Sequence, residues 1–177
     1  GFQLAIEATI PTDRRDLLHI SKYDTVRYEV ALGTDQSTQE TMILAERGWL
    51  KTAEPVTRAQ RLLFPLPEDP PTELVSPKQS GTRRLFSKTP GGNDNFYAEA
   101  HDRDGRWAPA FKLGPRKSTL GNLPEDETNF PVSSWFKHLL ADGVVMLMLN
   151  ILTIRLARPP GPGASFQVAG SHLPWVI

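Results

Sequence analysis

The sequence predicts an α+β protein: an antiparallel β-meander in the N-terminal two thirds, with a few short helices in the C-terminal third. Three observations predict it. Apolar and polar residues alternate in Phe2–Thr9 and Thr25–Leu32, the period of a half-buried strand, and Glu40–Arg47 returns as an antiparallel partner. Turn-forming runs separate the alternating segments, among them Pro90-Gly-Gly-Asn-Asp94 and Asp102-Arg-Asp-Gly105. Beyond Gly114 the spacing lengthens, and Val132, Trp135, Phe136 and Leu139 recur at a helical period.

Residues 1–52 are the first strand-rich block. Phe2–Thr9 is a strand closed by Pro11, and Asp13–Lys22 is a helical turn or an irregular loop. Thr25–Leu32 places Val26, Tyr28 and Val30 on one face, and Gly33–Gln39 is a polar loop. Glu40–Arg47 returns as its antiparallel partner, and Gly48 is expected to turn the chain into Trp49–Thr52. Residues 55–80 contain Pro65, Pro67, Pro70, Pro71 and Pro77, which remove amide donors and fix φ. They predict a linker or long surface loop anchored by Arg61-Leu-Leu-Phe64.

Residues 83–113 form the second block: strands Arg83–Lys88, Asn95–Ala100 and Arg106–Leu113. The segment 118–177 is helical or mixed. Ser118–Leu123 reads as a short helical turn, and Pro131 opens a helix through Ala141 with Asn129 as its cap. Asp142-Gly143 ends that helix, and Val144–Asn150 is a buried strand or the start of another element. Arg158-Pro-Pro-Gly-Pro-Gly163 is a loop. There are no internal repeats, and 177 residues are expected to make a single domain or a portion of a larger one.

Composition narrows the function classes. Lys and Arg total 20, as do Asp and Glu, so no net field draws the chain to nucleic acid or anionic lipid. Cysteine is absent, which removes disulfides and thiolate metal sites and fits a reducing compartment. The apolar run Val144–Leu149 is too short to span a bilayer, and the first residues carry no signal-peptide pattern. The cytoplasm is the expected location.

The residue patterns that could carry chemistry each have a plainer explanation. Gly114-Pro-Arg-Lys-Ser118 ends like a phosphate loop, but Arg116 stands where glycine is required and Pro115 removes a donor. A basic loop accounts for it better. The strand Val144–Leu149 runs into Asn150 and Ile151, where a magnesium-binding acidic pair is needed, and an amide is no base. Asp102, Asp104 and Gly105 echo a calcium loop without its terminal glutamate, so a hairpin turn is the better reading. His19, His101, His138 and His172 are scattered, with no ligand spacing between them. Ser133, Ser134 and Ser171 lack the glycines of a nucleophile elbow. Glu125, Asp126 and Glu127 suit the electropositive start of a helix. Arg83, Arg84, Phe86, Phe96, Tyr97 and Trp107 could form a basic-aromatic nucleic-acid face, although such aromatics on a meander more often build its buried face. No residue is therefore assigned as catalytic or as a metal ligand.

A motif series in the last third carries a resemblance. Ser118–Leu123, Leu123-Pro-Glu-Asp-Glu127, Phe130–Trp135, Leu147–Asn150, Arg158–Pro162 and Gly170-Ser-His-Leu-Pro-Trp175 occur in this order. The series resembles the middle region of a bacterial family of AAA/ABC-type ATPases related to chromosome-maintenance and recombination ATPases. His172 departs from the family's asparagine. Tyr28-Glu-Val30 and Ala45-Glu-Arg-Gly48 are similar to the antiparallel region that follows the phosphate loop in that family.

The resemblance implies that Asn150, Arg158, Ser171, Leu173, Pro174 and Trp175 are motif positions, with no role assigned. In the family, ATP binding needs a Walker A phosphate loop before this region, and a signature motif and Walker B acidic strand end after it. None is present here. The expectation is an internal fragment that cannot hydrolyse ATP alone, with ATP and magnesium implied only for the full-length parent. Ile177 falls where a helix is expected to begin. The implied partners are the remainder of the ATPase domain and, through the parent, DNA; no membrane is implied. The alternatives are a non-enzymatic protein- or nucleic-acid-binding module and an enzyme whose site assembles only in three dimensions.

Overall fold

The computed structural model describes residues 1–53, 73–75, 80–100, 109–144 and 148. It is α+β. Among the described residues six strands form one antiparallel sheet in chain order: β1 Phe2–Thr9, β2 Thr25–Thr34, β3 Thr41–Lys51, β4 Arg83–Lys88, β5 Asp94–Phe96 and β6 Ala110–Phe111. Among the described residues two helices accompany it, α1 Thr12–Arg15 and α2 Pro131–Asp142. The four-residue α1 is a helical turn at the start of the Asp13–Lys22 segment, expected as a helical turn or an irregular loop, so a short helix also stands outside the C-terminal third. Contacts divide the chain into two units, Gly1–Lys137 and His138–Ile177.

Alternation builds the sheet. Phe2↔Leu32, Leu4↔Val30, Ile6↔Tyr28 and Ala8↔Val26 pair across β1 and β2. Val26↔Leu50, Tyr28↔Gly48 and Val30↔Glu46 carry the same face onto β3. Directly opposed residues point to one side of a sheet, so this face collects the apolar positions. Within the first unit its core joins Val26, Leu50, Phe86 and Phe96 to Phe130 and Phe136, all at most 1% exposed. Tyr28 lies 6.2 Å from both Phe86 and Phe136, and Phe96 packs edge-on at 6.4 Å against Phe130. Tilted and edge-on aromatic contacts at this spacing add to the area they bury.

The expected turn at Gly48 is corrected: β3 continues through it to Lys51. Glycine serves there as a slot, because a Cβ on Gly48 would overlap the Phe86 ring. Gly48↔Phe86 are directly opposed, next to the register shift at Gly48/Trp49. Gly48→Ala is expected to cost about 1–3 kcal/mol of stability by overpacking. Adding Phe86→Leu should recover part of that loss, as read from urea midpoints.

Other boundaries move for local reasons. β5 ends at Phe96 instead of Ala100, although Tyr97 N still donates to Leu85 O at 2.8 Å. β6 occupies Ala110–Phe111 within the expected Arg106–Leu113 strand, and residues 101–108 lie outside the described residues. Ser118–Leu123 forms consecutive turns closed by Asn122 N→Ser118 O (3.2 Å) and Leu123 N→Leu120 O (3.1 Å). Asn129 is not the cap of α2. It sits two residues before Pro131, and its Nδ2 donates to Asp126 Oδ2 at 2.6 Å.

In the second unit, Val144 and Met148 are 62% and 70% exposed, which does not fit a buried strand over Val144–Asn150; the other expectation, the start of another element, falls mostly outside the described residues. Most of the Pro-rich segment is outside the described residues, as are Arg61–Phe64, Trp107, His101, the Asp102–Gly105 turn and everything after Met148. Leu74 and Val75 are described, and both donate their amides to Gln3 Oε1, at 2.6 and 3.1 Å. No helix among the described residues is long and apolar enough to cross a membrane.

Candidate functional site

The loop that most resembles a phosphate cradle is filled by a carboxylate of the protein itself. Glu46 stands on the apolar face of β3 opposite Val30 and is fully buried. Its Oε2 accepts from Thr119 N at 2.7 Å. Its Oε1 accepts from Ser118 Oγ (2.7 Å), Leu120 N (3.0 Å) and Tyr28 OH (3.2 Å). Two successive amides and a serine hydroxyl converging on one anion is the arrangement by which a loop holds phosphate. Here the anion is internal.

The rest of the loop is tied down in the same way. Gly114 adopts φ +83, a left-handed conformation that glycine takes without strain, and turns its carbonyl onto Lys88 Nζ at 3.0 Å. Pro115 O accepts from Ile43 N at 2.7 Å, and Arg116 pairs with Glu40 at the surface. Ser118 Oγ also accepts from Gly121 N at 2.9 Å.

A second carboxylate holds the loop from below. Asp94 pairs with Lys88 at 2.5 Å in a site where both side chains are at most 3% exposed. It also accepts from Thr119 Oγ1 at 2.5 Å and from Leu113 N at 3.0 Å. Thr119 thus bridges the two anions, with its amide on Glu46 and its hydroxyl on Asp94. Burial together with the charge of Glu46 pushes the Tyr28 hydroxyl well above the ordinary tyrosine range. Tyr28 therefore remains a donor and is no proton acceptor at neutral pH.

Glu99 is the third internal anchor. It is fully buried and accepts the first free amides of α2, Val132 N at 2.7 Å and Ser133 N at 3.2 Å. It takes the place expected of Asn129, giving the helix a cap from a distant segment. Burial pushes its carboxyl up to about 7, against the pull of Ser133, Val132 and Arg83. The folded chain therefore holds this proton between pH 4.5 and about 7, where the unfolded chain has released it. The stabilisation is full below 4.5 and is lost as pH rises through 7, a fall of about 3 kcal/mol. Urea midpoints across this window should trace the fall, and Glu99→Gln should flatten it. Glu7 and Asp126 have lowered carboxyls, and their contributions are lost only at more acid pH.

The opposite face of the sheet is polar. Trp49 donates its indole N–H to the buried Glu29 at 3.1 Å, and the Arg84 guanidinium stacks 4.8 Å above its ring. Arg27 links Glu29 (2.7 Å) to Glu7 (2.8 Å), and Lys51 reaches Glu7 at 2.9 Å. Of the proposed basic-aromatic set, Phe86 and Phe96 are buried and unavailable for stacking on bases, while Arg83 donates to Ala98 O at 2.8 Å.

Asn150, Arg158, Ser171, Leu173, Pro174 and Trp175 lie outside the described residues, as do His172 and the Arg158–Gly163 loop. Of the acidic run, Glu127 pairs with Arg14 at 3.0 Å and Asp126 binds the Asn129 amide and side chain. His19 is exposed, and His138 Nδ1 approaches Asp142 at 3.6 Å within the second unit. No group of three metal-ligating side chains forms among the described residues. Two clefts lined by described residues measure about 260 and about 70 Å³. Both fall below the roughly 300–1,000 Å³ of small-molecule sites.

Sequence reasoning missed the buried acids Glu29, Glu46, Asp94 and Glu99. One signal was present: Glu46 has the strand parity of Gly48 and Leu50, which puts it on the core face. No family model, no curated protein and no solved structure matches this chain.

Proposed function

We propose that this chain is a non-hydrolysing portion of an AAA/ABC-type ATPase whose parent acts in the cytoplasm in DNA repair, chromosome maintenance or defence. Its role is a scaffold: a rigid antiparallel sheet that presents the loops around it to the rest of the ATPase domain and, through that parent, to DNA. Parentage is supported by the ordered motif series from Ser118 to Trp175. The observation that carries the non-hydrolysing part is Glu46, whose carboxylate takes the Thr119 and Leu120 amides and the Ser118 hydroxyl. A nucleotide phosphate entering this loop would meet a buried negative charge, and the donors it needs are already engaged.

Purified, homogeneous chain should neither bind Mg-ATP in calorimetric titration nor release phosphate above the buffer rate. Turnover that co-elutes with the chain and survives further purification would overturn the reading. The gene's reading frame tests parentage separately. A Gly-x-x-x-x-Gly-Lys-Ser/Thr segment encoded upstream of Phe2 supports it, and a frame without one argues against it.

A further inference from the structure

The outer edge of β1 has the chemistry to pair with itself. Ile10 N donates to Asp24 O at 2.8 Å, continuing the β1–β2 register. Antiparallel ladders place their bonds at every second opposed pair. Phe2, Leu4, Ile6 and Ala8 therefore bond to β2, and Gln3, Ala5, Glu7 and Thr9 turn their amides and carbonyls outward. No strand among the described residues pairs with that side. β1 also contains no lysine, proline or bulge, three of the devices that blunt a strand edge. Its one charge, Glu7, is neutralised by Arg27 and Lys51. Phe2 and Leu4 are 63% and 46% exposed on the core face of the sheet.

We propose that β1 pairs antiparallel with β1 of a second copy of this chain, about a two-fold axis at Ala5. Opposed residues in such a pair share a face, and the pairing can be checked position by position. On the core face Leu4 meets Ile6 and Phe2 meets Ala8, extending the apolar surface across the junction. On the polar face Ala5 meets Ala5 and Gln3 meets Glu7. Gln3 Oε1 already accepts the Leu74 and Val75 amides, which leaves its Nε2 to donate to the second copy's Glu7. No like charges face each other. The outward Ala5 amide and carbonyl bond reciprocally across the axis. Complementarity at the four opposed pairs from Phe2 to Ala8 favours a second copy over an unrelated strand.

The chain has no cysteine, so a single introduced thiol reports the geometry. Hydrogen-bonded opposed residues sit roughly 5.5 Å apart at Cα, inside the roughly 4.4–6.8 Å range of disulfides. Wild-type chain in sedimentation equilibrium should shift from monomer toward dimer with rising concentration, because an edge contact of this size is weak. Ala5→Cys should convert to a covalent dimer under mild oxidation, while Thr9→Cys stays monomeric. Ala5→Pro removes only the outward amide, keeps the bonds to β2, and should abolish the dimer. Monomer at all concentrations, with Ala5→Cys cross-linking no faster than Thr9→Cys, overturns the proposal. So does a dimer in which Ala5→Cys fails to cross-link. Neither result bears on the ATPase reading.

Discussion

Glu46→Ala is expected to lower stability by at least about 3 kcal/mol, since each buried donor left unsatisfied costs roughly 1–3 kcal/mol. Four donors lose their acceptor at once: the Ser118 and Tyr28 hydroxyls and the Thr119 and Leu120 amides. In a chain of this size that corresponds to a drop in melting temperature of roughly 6–12 °C. Glu46→Gln keeps one acceptor oxygen but turns an NH2 group toward donors, so it should recover only part of the loss. Ser118→Ala removes one hydroxyl and should cost about 1 kcal/mol. The ordering Ala, then Gln, then Ser118→Ala from most to least damaging distinguishes an anion-centred site from ordinary packing. Thermal melts of the three variants measure it.

The second large effect is expected at Lys88. Its ammonium is buried between Asp94 Oδ1 and Gly114 O. Lys88→Met fills much of the same space and leaves Asp94 as an uncompensated buried charge, which costs roughly 3–5 kcal/mol. Asp94→Asn alone strands the ammonium in the same way. The double variant Lys88→Met/Asp94→Asn removes both charges and keeps one oxygen acceptor for Leu113 N, while its NH2 group can donate to the Thr119 hydroxyl oxygen. It should therefore be clearly more stable than the sum of the single changes predicts. A coupling of about 1–3 kcal/mol in urea unfolding is the expected result. Additive losses would mean that the two charges do not interact.

These two sites explain what the sequence could and could not convey. β1 and β2 were legible because each alternates and one face meets a core, so side-chain polarity reports direction, whereas β4 was found from the turn residues that follow it. Gly48 misled because glycine signals both a turn and the absence of a side chain. What distinguishes the two is the Phe86 ring, which is 38 residues further along the chain and visible only once the strands pair. The loop at Gly114–Ser118 was found from its glycine-to-lysine-serine spelling, but its occupant was not. A glutamate's default place is the solvent, and burial of Glu46 depends on donors more than 70 residues away. Asn129 was chosen as a local cap by residue type, whereas the free amides of α2 are met by Glu99 from across the fold. Long-range satisfaction of polar groups leaves almost no local trace. Strand parity is the exception, and at Glu46 it pointed the right way.

The Thr119 and Leu120 amides face inward onto Glu46 and are unavailable to an outside anion. Residue-resolved hydrogen exchange of Thr119 and Leu120, with and without Mg-ATP, tests it most directly. Strong protection that is indifferent to nucleotide and falls selectively at these two amides in Glu46→Gln is the result the structure predicts. Rapid exchange in the wild-type chain, slowed when Mg-ATP is added, would contradict it.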